Sequence, residues 1–293
     1  MTLSGRQNAA KMIGDPDVIF RQVGASTRRG DQGKLMAILT QTEIVEKLRG
    51  EDLNKWLELW WNEQGPAKHS SLEVMAAAIP FPANKDLRVL DLCCGPGDAG
   101  RVIFSRFPNA CIDFVDRDLF FASLCSAVNQ RDSISGRTFV RDLLDSDWHR
   151  DLMNNYDVVI VANGLHWFRM DQANELLADV YEVLHPGASF LLLEPVGAEI
   201  PFASGFAAWQ KTQPRQHKHD DWIRFWSSVN NLLGYDHTKE LFGRAEENRI
   251  GDKLPVLGWI GLLKAAGFDP IDVLIRDPEK VVLAALKPRH AWF

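Results

Sequence analysis

Hydrophobic and polar positions change rhythm several times along the chain. From about Gln41, apolar residues recur at spacings of three to five: Ile44, Val45, Leu48, Leu53, Trp56, Leu57 and Trp60. This predicts one helix, stopped by Gln64-Gly65-Pro66. Leu72–Ile79 predicts a second, short helix ended by Pro80 and Pro82. The rhythm then shortens. Leu87–Cys93 (LRVLDLC) predicts a strand that runs into the glycine-rich turn Gly95–Gly100, and helical residues follow to about Phe107. Cys111–Val115, Thr138–Val140, Val158–Ala162 and Ser189–Leu193 predict four more strands. Helical stretches at Leu119–Asn129 and Gln172–Leu184 separate them, the second closed by a Pro186-Gly187 turn with His185 as a turn residue. Strands alternating with helices indicate βαβ units and a parallel sheet.

After Pro195 the alternation breaks. Residues 200–256 are polar, carry tryptophan and read as pieces of helix laid over the sheet. Gly258–Ala266 then predicts a helix with Gly267 as its C′ residue. Ile271–Ile275 and Val281–Leu286 predict two strands. The link Arg276–Glu279 is too short for a parallel crossover, which needs about a dozen residues, so this pair must be antiparallel.

Composition narrows the class. The chain has 293 residues, 46% of them apolar and 25% charged, which is ordinary for a soluble globular protein. The formal net charge of −6 argues against a dedicated nucleic-acid binder, which would show a basic balance. The cysteines at 93, 94, 111 and 125 form no CxxC pair, so neither a disulfide framework nor a zinc module is expected, and a reducing cytoplasm fits. The first 30 residues hold no apolar run of the roughly 7–15 residues of a secretory signal. No stretch reaches the roughly 18 apolar residues that span a bilayer.

The stretch Leu90-Asp91-Leu92-Cys93-Cys94-Gly95-Pro96-Gly97-Asp98-Ala99-Gly100 carries the most chemistry. Glycines at a strand-to-helix turn let a ligand approach the backbone, and the helix start favours an anionic group. Gly95-x-Gly97-x-x-Gly100 has the dinucleotide spacing, and Asp116 follows at close to the distance of a ribose-binding carboxylate. By spacing alone, an NAD(P)-dependent oxidoreductase is open. Three features favour another ligand. Asp91, inside the strand, suits an ammonium group and is unhelpful beside a pyrophosphate. The chain closes with an antiparallel pair, not a second βαβαβ half. A third acid, Asp142, ends the third strand.

Together, VLDLCCGPGDAG (89–100), VDRD (115–118), RDLLD (141–145), YDVVIVANGLHWF (156–168) and VLHPGASFLLLEP (183–195) resemble class I S-adenosylmethionine-dependent methyltransferases, in particular the small-molecule branch with the type 11 or 12 domain. The resemblance implies a Rossmann-like α/β sandwich of seven strands in the order 3-2-1-4-5-7-6, strand 7 antiparallel. Four segments are then expected: an N-terminal helical cap (1–70), a cofactor-binding core (71–199), a helical lid insertion (200–257) and a closing helix with two strands (258–293). It also implies that Asp91, Gly95 and Gly97 surround the methionine part of S-adenosylmethionine, with Asp91 facing its amino group. Asp116 would hold the ribose hydroxyls with Arg117 beside the adenine, Asp142 and Leu143 would bind the adenine, and Asn163 and Gly164 would lie under the sulfonium. Cys93 departs from the pattern by standing where the family often has a glycine, which would crowd the cofactor.

Methyl transfer needs in-line positioning, exclusion of water and, for a hydroxyl acceptor, a base. His166, just past the fourth strand, is the candidate, because imidazole titrates near neutral pH. It favours O-methylation over N- or C-methylation of a small aromatic or apolar molecule. A pocket-wall role for His166 stays open. Trp60, Trp167, Glu194, Trp222 and Trp226 are candidate substrate contacts, although Trp222 and Trp226, at i and i+4, suit core packing better, as does Trp60. Trp167 equally suits the core, and Glu194 equally suits a role as a hydrogen-bonded structural carboxylate. His217, His219, Asp220 and Asp221 have the spacing of an exposed polar loop, so no metal is expected. A tRNA or protein methyltransferase of the same fold, and a non-catalytic scaffold, stay open. The acidic charge and the absence of an [DN]PP[YF] tetrapeptide at Asn163–His166 speak against the former. A monomer or homodimer is expected, with no nucleic acid and no membrane.

Overall fold

The computed structural model describes residues 39–64, 66–197, 205, 219–238, 241, 248–251, 254–277 and 279–289. Much of the expected cap and lid insertion, including His217, therefore lies outside the described residues.

Before the sheet come α1 (Gln41–Leu48), α2 (Leu53–Gln64) and α3 (Pro66–Ala77). The alternating part follows as β1 (Arg88–Leu92), α4 (Asp98–Arg106), β2 (Cys111–Asp116), α5 (Leu119–Arg131), β3 (Gly136–Val140), β4 (Tyr156–Ala162), α6 (Met170–Val183) and β5 (Leu184–Pro195). The chain continues with α7 (His219–Leu233), α8 (Val256–Ala265), β6 (Ile271–Arg276) and β7 (Lys280–Leu286). The seven strands lie in the order β3-β2-β1-β4-β5-β7-β6. Neighbours from β3 to β5 are parallel, and β7 runs antiparallel between β5 and β6.

Both faces of the central strands are covered, which is why VVIVA and FLLLE read as continuous apolar runs. Leu90, Leu92, Val159, Val161, Phe190 and Leu192 face one layer with α6 and α8, around Leu177, Trp259 and Leu263. Val89, Val158, Ile160, Leu191 and Leu193 face the other, with Met75 of α3 and Ile103 of α4. A third cluster joins α1, α2, α5 and α7 through Ile44, Trp56, Phe121, Phe225 and Trp226. Its rings interlock, with Phe121 stacked on Phe225 at 6.0 Å and Trp226 edge-on to Phe121 at 5.6 Å. Each such pair contributes about 0.5–1.5 kcal/mol beyond its burial.

Three expectations need correction. The helix read through 41–60 is two helices. Thr40 and Glu43 form a capping box on α1, and Asp52 Oδ1 accepts from Asn54 N (3.0 Å) and Lys55 N (3.4 Å) to start α2. The link through Gly50 keeps the apolar spacing while turning the backbone, so periodicity alone runs straight through it. The second helix starts at Pro66 rather than Leu72, since proline suits the first helical position. Pro186-Gly187 does not close α6 as a separate turn. Tyr156 pairs with Leu184 and Val158 with Ser189, so His185–Ala188 form a bulge inside β5.

Candidate functional site

The parallel strands reverse their winding between β1 and β4, and a crevice at the carboxyl ends of strands at such a switch point is where open α/β sheets bind ligands. The turn leaving β1 supplies its floor. Cys93, Gly95 and Gly97 all take left-handed backbone, at φ +52°, +53° and +84°. Cys94 N donates to Val115 O at 3.1 Å and Gly97 N to Cys94 O at 2.9 Å, which ties the turn to β2. Gly100 is required by close packing: a Cβ there would lie 2.2 Å from the Phe114 ring. Its amide donates to Asp91 Oδ2 at 2.9 Å, and Asp91 is 1% exposed. One oxygen of Asp91 thus braces the helix start. Around Gly95 the backbone is open, since a Cβ would meet only the edge of Trp60, 3.9 Å away.

Asp116 ends β2 with both oxygens engaged. Gly95 N donates to Oδ2 and Asp118 N to Oδ1, each at 2.8 Å. A carboxylate has about four acceptor positions, so one remains on each oxygen. Burial and the neighbouring Asp118 charge, against the pull of the two amides, push its pKa up to about 6. Arg117 is exposed beside it. Asp142 is half-buried and accepts from Leu144 N at 3.1 Å, while Leu143 is buried beside Leu92 and Val115.

The Cys93 side chain turns toward the end of β4, where a Cβ on Gly164 would lie 2.7 Å from Cys93 Cβ and 2.9 Å from its sulfur. The thiol therefore packs against Gly164. Burial, with the charges of Asp116 and Glu194, raises its pKa well above the usual range, which keeps it a neutral thiol.

Past β4, Asn163 adopts left-handed backbone (φ +59°) and its amide donates to Leu193 O at 2.7 Å. Glu194, at the end of β5 and 0% exposed, organises the short segment from Gly164 to His166. Its Oε1 accepts from Gly164 N (2.8 Å) and Leu165 N (2.6 Å), and its Oε2 meets His166 Nδ1 at 2.7 Å. The sequence left Glu194 open as a substrate contact or as a hydrogen-bonded structural carboxylate. Its burial and three protein hydrogen bonds are those of the second, with the carboxylate behind His166. A carboxylate accepts, so Nδ1–H donates, and in the neutral ring the lone pair is then on Nε2. Trp167 is 40% exposed, 5.1 Å from the His166 ring, with the Arg249 guanidinium 4.5 Å over its face. Gly251 N donates to His166 O and Ile250 N to Phe168 O, so residues 249–251 form the rim beside the histidine.

The other expected aromatic contacts divide. Trp60 is seated at the glycine turn. Trp226 is 4% exposed inside the third cluster, and Trp222 packs edge-on to it at 5.4 Å, so both lie within the aromatic packing of α7. In the polar HKHDD stretch, Asp221 is buried and paired with Arg224 at 3.4 Å. Among the described residues no group of three His, Cys, Asp or Glu side chains could hold a metal.

Several residues give little sign of themselves in the sequence. Asp98, 4% exposed, accepts from the indoles of both Trp60 and Trp61. His237 Nε2 lies 2.6 Å from Asp118 Oδ2, both buried, which ties the chain after α7 to the start of α5. An acid in the x position of a glycine motif is the only visible signal for Asp98. His237 had none.

Sheet order, glycine turn and strand-end acids together define a class I S-adenosylmethionine-dependent methyltransferase fold. Comparison with known proteins agrees: residues 89–187 match the family model described as a methyltransferase domain. Among solved structures, the chain is similar to an O-methyltransferase family protein from Burkholderia thailandensis (16% identity, 74% of this chain and 55% of that one, TM-score 0.50). A putative O-methyltransferase from Nostoc punctiforme gives 16% identity, 74% and 56% coverage and TM-score 0.50. Mitomycin 7-O-methyltransferase gives 16% identity, 83% and 60% coverage and TM-score 0.50. At this identity the likeness is one of fold, and the chain spans little more than half the length of these proteins. No curated protein matches it. No helix among the described residues is long and apolar enough to cross a membrane.

Proposed function

We propose that the chain transfers a methyl group from S-adenosylmethionine to a hydroxyl of a small aromatic or apolar molecule. The observation that carries this is Asp116: two backbone amides fix it at the end of β2, and it keeps one acceptor position per oxygen beside an open glycine turn. That is the arrangement a ribose diol needs. Asp91, Gly95 and Gly97 would surround the methionine part. Arg117, Asp142 and Leu143 would border the adenine, with Asn163, Gly164 and the packed Cys93 under the sulfonium. No metal enters this reading.

When bound, the cofactor supplies an electrophilic methyl on a positively charged sulfur. The protein supplies position, dryness and a proton acceptor. Glu194 holds His166 Nδ1, leaving Nε2 to take the hydroxyl proton as the new carbon–oxygen bond forms. The products are then a methyl ether, the thioether S-adenosylhomocysteine and a protonated His166. Trp167 and Arg249 would edge the acceptor side. Burial of Asp91 in the strand and the antiparallel β7 favour this over a nicotinamide enzyme.

Calorimetry with S-adenosylhomocysteine tests the reading. Binding below millimolar concentration is expected, together with weaker binding by Asp116→Ala. Absence of binding at millimolar ligand would sink it.

A further inference from the structure

We infer that Trp60 walls the methionine end of the cofactor site and that Asp98 is the positioning residue holding it there. This rests on the proposed cofactor site. Asp98 opens α4 directly after Gly97, where a carboxylate is favoured by the helix start. Its Oδ2 accepts from Trp60 Nε1 at 2.8 Å, and its Oδ1 accepts from Trp61 Nε1 at 2.8 Å. Arg101 Nη2 reaches the same Oδ1, and Arg101 Nη1 donates to Pro96 O, so the acid is also locked to its own turn.

Consecutive residues on a helix point about 100° apart. Two neighbouring indoles can meet one carboxylate only if that carboxylate lies between their directions, so the pair of bonds marks how α2 is rotated over the glycine turn, and the Trp60 bond holds the ring that faces it. The Trp60 ring then lands at Gly95, where its Cζ2 is 3.9 Å from the position a Cβ would take. Phe121 and Phe225, at 4.9 and 5.4 Å, hold the ring from behind. Gly95 is also the residue whose amide holds Asp116. Indole, open glycine and ribose-binding acid thus follow one another in space. A flat apolar ring here keeps water from the methionine chain and attracts its sulfonium.

Trp61 supplies the control. It shares the carboxylate but is 37% exposed and lies against His69, with ring centroids 4.8 Å apart. S-adenosylmethionine affinity, measured by calorimetry with thermal melting alongside, should fall roughly tenfold in Trp60→Leu and in Asp98→Asn, the size of one lost cation–π contact. Trp61→Phe should stay within about twofold of the wild type. The Trp60→Leu/Asp98→Asn double variant should bind no more weakly than the poorer single one, because both remove the same wall. Wild-type affinity in Trp60→Leu overturns the inference. So does an equal loss in Trp61→Phe, which would mean that the seating of α2 as a whole is what matters. A wild-type protein that fails to bind overturns the cofactor reading itself, and with it this one.

Discussion

Acidification should weaken cofactor binding through one carboxyl group, Asp116. Its pKa in the folded protein is pushed from the usual 3.8 to about 6 by burial and by Asp118. Only the ionised form offers an acceptor on each oxygen beyond the two amides it already holds, so ribose binding selects that form. At pH 7.5 nearly all of the protein is ionised at Asp116 and nothing is lost. At pH 5, one unit below about 6, roughly one molecule in eleven is, and affinity for S-adenosylhomocysteine should drop about tenfold, or about 1.4 kcal/mol. Stability of the unliganded protein should move the other way. A carboxyl whose folded pKa is raised gives its full stability below the unfolded value of 3.8 and loses it as pH rises through about 6. The full difference is on the order of 3 kcal/mol, of which about 1.4 kcal/mol falls between pH 5 and 7.5. Calorimetric titrations between pH 5 and 7.5 read the first effect, and urea unfolding over the same range reads the second. Asp116→Asn should bind weakly and with little pH dependence. A flat wild-type profile, or an Asn variant that keeps the full slope, would refute the reasoning.

Other perturbations probe separate parts. His166→Asn should lower kcat about 10²–10⁴-fold on a hydroxyl acceptor while S-adenosylhomocysteine affinity is unchanged. Glu194→Gln should do nearly the same, since an amide N–H facing Nδ1 forces the proton onto Nε2; retained turnover in both would remove the base. His237→Ala leaves buried Asp118 without its 2.6 Å partner and should cost about 1–3 kcal/mol in urea unfolding, with an unchanged midpoint counting against the pair. Gly136 has φ +134°, and a Cβ there would lie 1.7 Å from Ile112 O, so Gly136→Ala should cost about 2–5 kcal/mol and fray β3 from β2 in hydrogen exchange.

What the sequence revealed depends on how far apart the cooperating residues lie. β4 and the end of β5 are covered on both faces, so each is legible as an unbroken apolar run, and the short Arg276–Glu279 link fixes the antiparallel closing pair. The glycine turn is legible because conformation demands glycine locally. The break between α1 and α2 was hidden because Asp52 caps without disturbing the apolar spacing. Glu194 was seen as an acid at a strand end, yet its hold on His166 depends on β4 and β5 being neighbours. Asp98 was passed over as a spacer, since only the folded position of α2 brings two indoles to it. The tryptophans of α7 were legible from their spacing as one helix face suited more to packing than to substrate contact, and in the fold they join the aromatic cluster.

The buried contact between His237 and Asp118 also bears on the order of assembly. The contacts that shape the site are local by comparison: His166 with Glu194 spans 28 residues, and Trp60 with Asp98 spans 38. His237 with Asp118 closes a loop of 119. Long closures cost more chain entropy and slow the steps that depend on them. Closing the cofactor floor therefore costs less chain entropy than seating the end of α7 beside it.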